Sequence, residues 1–289
     1  MKPRVLELTK QLLAYFEKEL ESANEITLFL CGGSGNEESR LRLALGKQIS
    51  KTSSKYTYSI YYPEDMFTEL ISSHQLTNLL TLENILANSV HCVVILLHSP
   101  GTFTELGAFS NHESLCNKLV IVIDNIYHGK RSFISLGPLR YLKTHTTSKV
   151  IYSDINLENL VKLTELIADA AREIPRQATT MDFLANPISS LRLYLALIYV
   201  FEPLPKTRLL DILNLLSPDN LDIVSTVSQT VTNYLTSSQQ ISVDKGILSI
   251  TERGIDKLLQ VHSTKKRQDE IFSFLSGLRL NALNLIMRK

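Results

Sequence analysis

The chain has 289 residues, 44% of them apolar, and a formal net charge of +1. That length exceeds one small domain and predicts two, each with a real core. The near-zero charge excludes a strong global field toward nucleic acid or membrane, so any charged partner must be met locally. Three cysteines, Cys31, Cys92 and Cys116, are odd in number and lack metal-ligand spacing, which predicts reduced thiols in a cytoplasmic protein.

The N-terminus carries charges throughout and has no unbroken apolar core of a signal peptide. Val5, Leu8, Leu12 and Phe16 share a face, which predicts a helix over residues 4–20. "EITLFLCGG" then predicts a buried strand stopped by glycines, and "NEESRLRLALGKQIS" a helix whose acids come early and bases late. "YTYSIYY" predicts a second strand, and "PEDMFTELI" a helix opening on Pro63. "LTLENILANSV" predicts another helix, "HCVVILL" a third strand, and "FTELGAFSNHESLC" the helix behind it, after a turn on Pro100 and Gly101. "KLVIVID" and "KVIYS" predict strands four and five, and "LENLVKLTELIADAAREI" an amphipathic helix. The longest apolar runs are too short to span a bilayer. Strands alternating with helices, and reading as continuous apolar runs, predict a doubly wound parallel sheet in an α/β domain over residues 1–175.

"PRQATTMDFLANPISS" lacks periodicity and predicts a linker over 176–189. Over 190–289 the pattern changes. "LRLYLALIYVF", "KTRLLDILNLL" and "LDIVSTVSQTVTNYL" predict three successive helices, and "QQISVDKGILSIT" a small hairpin turning on Lys245-Gly246. Three helices and a hairpin are a winged-helix arrangement, closed by a further amphipathic helix.

Open parallel sheets bind ligands outside the carboxyl ends of their strands. Three loops emerge there. Cys31, Gly32, Gly33, Ser34 and Gly35 follow strand one, and lack the third glycine of the dinucleotide fingerprint. They form either a tight turn or a loop whose backbone approaches phosphate or sugar. Glu64 and Asp65 follow strand two, and either hold sugar hydroxyls or favour a helix N-terminus. Ser99, Gly101 and Thr102 follow strand three and lead to Glu105 in the next helix's first turn. There a carboxylate can cap free amides. It can also stabilise the oxocarbenium-like carbon made when an N-glycosidic bond breaks, or attack it. Gly101 and Gly107, which keep the backbone open, favour the second job. The histidines show no metal spacing and read as surface or loop residues. Glu83, Asn84 and the Lys130-Arg131-Ser132 turn are weaker candidates.

"LFLCGG", "YPED", "LENILANSV", "SPGTFTELGAFSN" and "KRSFISLGP", in that order, resemble retron effector proteins that join a nucleoside deoxyribosyltransferase-like domain to a winged helix. The resemblance implies that Glu105 is the nucleophile at C1′. It implies that Cys31, Gly32 and Gly33 contact ligand, that Asp65 is the acid after strand two, and that Ser99, Gly101 and Thr102 border the ribose or phosphate. It further implies a toxin restrained by a reverse transcriptase and its RNA–DNA hybrid, working in a homo-oligomer or larger assembly away from membranes. The implied activity is cleavage of an N-glycosidic bond, with NAD the leading substrate, other nucleotides second, and no metal or cofactor.

Residues 190–289 carry 12 Lys/Arg against 9 Asp/Glu, yet none of those bases falls between Arg208 and Lys245, which spans the predicted reading helix. That helix is a poor reader of duplex phosphate. The bases collect at Lys257, Lys265, Lys266, Arg267, Arg279, Arg288 and Lys289, which predicts docking onto a ribonucleoprotein or another subunit, with the basic tail near nucleic acid. The competing reading is a nucleotide-sensing winged-helix regulator without catalysis; a purely structural subunit comes third.

Overall fold

The computed structural model describes residues 3–22, 25–33, 35–52, 55–62, 65, 87–175, 183–259 and 265–287. Helix α1 (Pro3–Ser22) is followed by β1 (Glu25–Cys31), α2 (Asn36–Ser50), β2 (Thr57–Tyr61), β3 (Cys92–Leu97), α3 (Pro100–Ser110) and β4 (Leu119–Ile123). Then come α4 (Phe133–Leu136), α5 (Pro138–His145), β5 (Lys149–Tyr152) and α6 (Leu160–Glu173). Apart from Asp65, which is helical, the helix expected on Pro63 lies outside the described residues, as do Ser34, Glu64, Glu83, Asn84, Arg288 and Lys289.

The five strands form one all-parallel sheet in the order β2-β1-β3-β4-β5. Every residue of β3 and β4 is buried, as expected of central strands covered on both faces. On one face Leu45 and Ile49 of α2 and Leu163 and Ile167 of α6 pack on Leu28, Leu30, Val94 and Val120. The chain leaves β1 toward β2 on one side and resumes at β3 on the other. The carboxyl ends of β1 and β3 therefore flank the topological switch point, where such sheets open a crevice.

The remaining elements are α7 (Pro187–Phe201), β6 (Leu204–Pro205), α8 (Lys206–Leu216), α9 (Leu221–Ser237), β7 (Ile241–Asp244), β8 (Ile247–Ile250), α10 (Glu252–Leu259) and α11 (Lys265–Met287). The strands form an antiparallel sheet in the order β6-β8-β7. Lys245 and Gly246 both take positive φ, +46° and +80°. That is the backbone a two-residue hairpin turn needs, and Gly246 takes it without steric cost. Helix α7 is buried nearly all round and forms the centre onto which α1, α9, α10 and α11 pack.

Two expectations shift. Contacts divide the chain into one unit of Met1–Ala23, Asp65–His74 and Thr180–Lys289 and another of Asn24–Glu64 and Gln75–Thr179. Helix α1, expected with the α/β domain, thus joins the helical unit. Tyr15 stacks on Phe274 at 4.6 Å, and Arg192 lies 5.2 Å from the Phe16 ring and 3.9 Å from Glu19. An amphipathic stripe states that a face is buried, not against what. Second, α7 starts at Pro187, inside the expected linker. Asn186 Oδ1 accepts from the Ile188 and Ser189 amides, both at 3.0 Å, and Pro187 takes the first helical position, where its missing N–H costs nothing.

Candidate active site

The loop after β1 and the loop after β3 are joined directly. The Gly33 amide donates to Nε2 of His98 at 2.8 Å, across the switch point. Nε2 can accept only from an imidazole protonated at Nδ1 alone, so the bond selects the neutral ring. Burial pushes the His98 pKa below 6.5, with Arg42 acting the same way and Glu38 opposing. The histidines were expected to be surface or loop residues; this one is half-buried and bridges two ligand loops. Its signal in the sequence was position, immediately behind the last residue of β3.

Around the glycines, α2 supplies two further side chains that sequence reasoning passed over. Glu38 Oε2 accepts from the Gly35 amide at 3.1 Å, and Arg42 Nη1 donates to the Gly32 carbonyl at 3.4 Å. Arg42 is 5% exposed, and its guanidinium lies 5.6 Å from the Tyr62 ring centre. A Cβ on Gly32 would sit 2.7 Å from Arg42 Cδ, and one on Gly33 would sit 2.1 Å from Glu38 Oε2. The glycines therefore give room to the chain's own Arg42 and Glu38. Cys31, 1% exposed, is buried with the core at the end of β1.

After β3 the chain does not turn on Pro100 and Gly101, as expected; it is already helical. Ser99 is the N-cap and Pro100 takes the first position of α3. Thr102 Oγ1 accepts from the Ser99 amide at 3.2 Å and donates to the Ser99 carbonyl at 2.8 Å, while Ser99 Oγ accepts from the Thr102 amide at 3.5 Å. Early entry into the helix has a consequence. Glu105 stands at the sixth helical position, not in the first turn, beyond the amides a carboxylate caps. The capping job belongs to Ser99 and Thr102. Glu105 itself is half-buried, with Oε2 shielded from solvent. Gly101 is exposed, and a Cβ there would meet only Ser99 Oγ, at 4.0 Å; one on Gly107 would meet nothing within 4 Å. Helix α3 also ends earlier than expected, at Ser110. A turn and a 3-10 segment, Leu115–Asn117, lead on to β4.

Of the predicted residues, the structure gathers Cys31, Gly32 and Gly33 at the end of β1, and Ser99, Gly101, Thr102 and Glu105 behind β3. Asp65 is exposed and groups with the helical unit, where its charge raises the pKa of Tyr234, second to burial. Among the described residues no three His, Cys, Asp or Glu side chains gather as metal ligands, and no helix is long and apolar enough to cross a membrane.

Residues 38–245 match the family model of the STM3845 retron effector protein. The chain belongs to this retron effector family. Two relatives from Escherichia coli resemble this effector. The first, "Retron Ec86 putative ribosyltransferase/DNA-binding protein", is 38% identical over 171 residues, 58% of this chain and 54% of the relative. Its retron Ec73 counterpart, described in the same words, is 34% identical over 119 residues, 39% of this chain and 36% of the relative. The matches thus span about half or less of these relatives' lengths. Their description points to chemistry of the glycosyl-transfer type. The family match covers the glycine loop's partners on α2, all of α3 and the helical unit as far as Lys245.

Proposed function

We propose that this retron effector is a toxin whose α/β unit, of the nucleoside deoxyribosyltransferase type, breaks the N-glycosidic bond of NAD or a related nucleotide. One observation carries the reading. Glu105 is a carboxylate in the second turn of the helix behind β3, half-buried, with one oxygen shielded and the capping work done by other residues. Such an acid suits an anomeric carbon that gains positive charge. The Gly32-Gly33 backbone and the start of α3, Ser99–Thr102, border the ribose and its phosphate. NAD leads because its leaving group is already cationic. When the C1′–N bond breaks, its electron pair returns to the pyridinium nitrogen and nicotinamide departs neutral, with no acid required. A Glu105 oxygen bonds C1′ in its place. Water then adds at C1′, its proton goes to solvent, and the carboxylate is restored with ADP-ribose as product.

The helical unit is read as a winged helix, with α7, α8 and α9 as its three helices and the β7–β8 turn as its wing. It holds the effector on the retron's reverse transcriptase and RNA–DNA hybrid until infection releases it, and the active form is an oligomer. The alternative, a nucleotide-sensing regulator without catalysis, needs a duplex-reading α9, which has no Lys or Arg.

The test is the purified chain incubated with NAD, with nicotinamide and ADP-ribose separated by chromatography. Turnover by the unaltered protein is expected, with Glu105→Gln losing at least about 100-fold. Turnover retained by Glu105→Gln removes the residue from the chemistry. Cleavage of other nucleotides but not NAD reassigns the substrate.

A further inference from the structure

From Asn125 to Ser153 the chain carries five Lys/Arg and no Asp or Glu, the opposite of its near-neutral whole. This segment leaves the carboxyl end of β4 and runs through α4 and α5 into β5. Lys149 is taken by Glu173 at 2.8 Å. Lys130, Arg131, Arg140 and Lys143 are all exposed. Three rings are exposed among them: Tyr127 at 42%, Tyr141 at 46% and Phe133 at 86%. Lys130 Nζ lies 5.2 Å from the Tyr127 ring centre. A merely solvated basic turn gains nothing from exposing three rings. Asp124 and Asp154 flank the segment but are held by the Ile126 amide and the Asn125 side chain, both at 2.9 Å, and Tyr141 stacks on His145 at 5.3 Å. Cations beside exposed rings complement a polyanion whose bases are free to stack.

We propose that this face of the α/β unit binds single-stranded nucleic acid, phosphates meeting Lys130, Arg131, Arg140 and Lys143 and unpaired bases stacking on Phe133 and the two tyrosines. The helix that a winged helix would place in a duplex offers the reverse chemistry: α9 exposes Leu221, Asp222 and Ile223. Helix α9 therefore does not compete with the α/β unit for unpaired strands, whatever part of the hybrid the helical unit holds. The inference stands apart from the glycosidase reading, and Glu105→Gln is expected to bind as the unaltered chain does.

The test is fluorescence anisotropy with labelled DNA and RNA single strands of about 16 nucleotides, and the matching duplex. Saturable binding to a single strand is expected, weakening with salt at a log–log slope of about −3 for four phosphate contacts. The DNA and RNA arms decide which strand is the source. K130E/R131E should weaken binding at least about tenfold and reduce the slope by about 1.4. F133A, at a site so exposed that folding is spared, should weaken single-strand binding about tenfold and leave duplex binding unchanged. Circular dichroism checks that both variants fold. No saturable binding at low salt overturns the proposal, as does binding indifferent to both variants, or a duplex held as tightly as the single strands. Loss of a co-purifying protein in these variants, with strand binding intact, also overturns it.

Discussion

Gly33 and His98, 65 positions apart, meet over the switch point of the sheet, an amide hydrogen on a neutral imidazole at 2.8 Å. One bond thus sets the spacing between the glycine loop and the segment that launches the Glu105 helix. Because the acceptor must be unprotonated, the bond is a condition on pH as well as on geometry.

The His98 pKa lies below its ordinary 6.5, chiefly through burial. As pH falls through 6.5, the unfolded chain takes up a proton that the native ring refuses, so native stability declines with acidification. Thermal melts of the chain and of His98→Gln, whose amide oxygen can still accept, should differ in slope below that pH. Nitrogen chemical shifts should show Nε2 still unprotonated at pH 6.5. Equal slopes, or a ring already charged there, would refute it.

Lys118 makes an opposite kind of test at the amino end of β4. It is 7% exposed, donates to the Asn88 and Val90 carbonyls at 3.0 Å each, and burial lowers its pKa from 10.5 to about 8. Neighbouring Cys92 is pushed well above the usual thiol range by burial and stays protonated. Between pH 8 and 10.5 the unfolded chain holds a proton that the native chain has lost. Stability should therefore rise with pH across that window, by roughly 3 kcal/mol relative to Lys118→Met. Denaturant unfolding of the two proteins at both ends of the window measures it; parallel behaviour would refute it. Lys118→Met should also be weaker at every pH, because two buried carbonyls lose their donor.

Arg279, counted at first among the bases available to nucleic acid, is half-buried and tied into the helical unit. It donates to the Tyr199 carbonyl at 2.9 Å and to Glu202 Oε2 at 3.2 Å, while Glu202 Oε1 accepts from the Ile250 amide at 3.2 Å. The clamp ties α11 to the end of α7 and to β8. Arg279→Met should cost about 1–3 kcal/mol in urea unfolding by leaving Glu202 half-buried beside an apolar chain. It should leave single-strand binding unchanged. A stability loss within error would show the clamp to be idle.

The sequence by itself determined the strands, the helix faces and the hairpin turn, because burial periodicity and the φ > 0 demand at Lys245-Gly246 are local properties written in neighbouring residues. It also marked out Glu105 and the glycine loop, since strand ends carry their chemistry in adjacent positions. Two prolines fell in stretches read as turn or linker, yet Pro100 and Pro187 each occupy a first helical position where the ring's fixed φ suits the helix; at Pro100 that moved Glu105 out of capping range. Only the tertiary structure decided that α1 joins the helical unit, that Arg279 is spent internally, and that His98 closes onto Gly33. These depend on which surfaces and side chains meet across long stretches of chain, and periodicity carries no record of a partner's address.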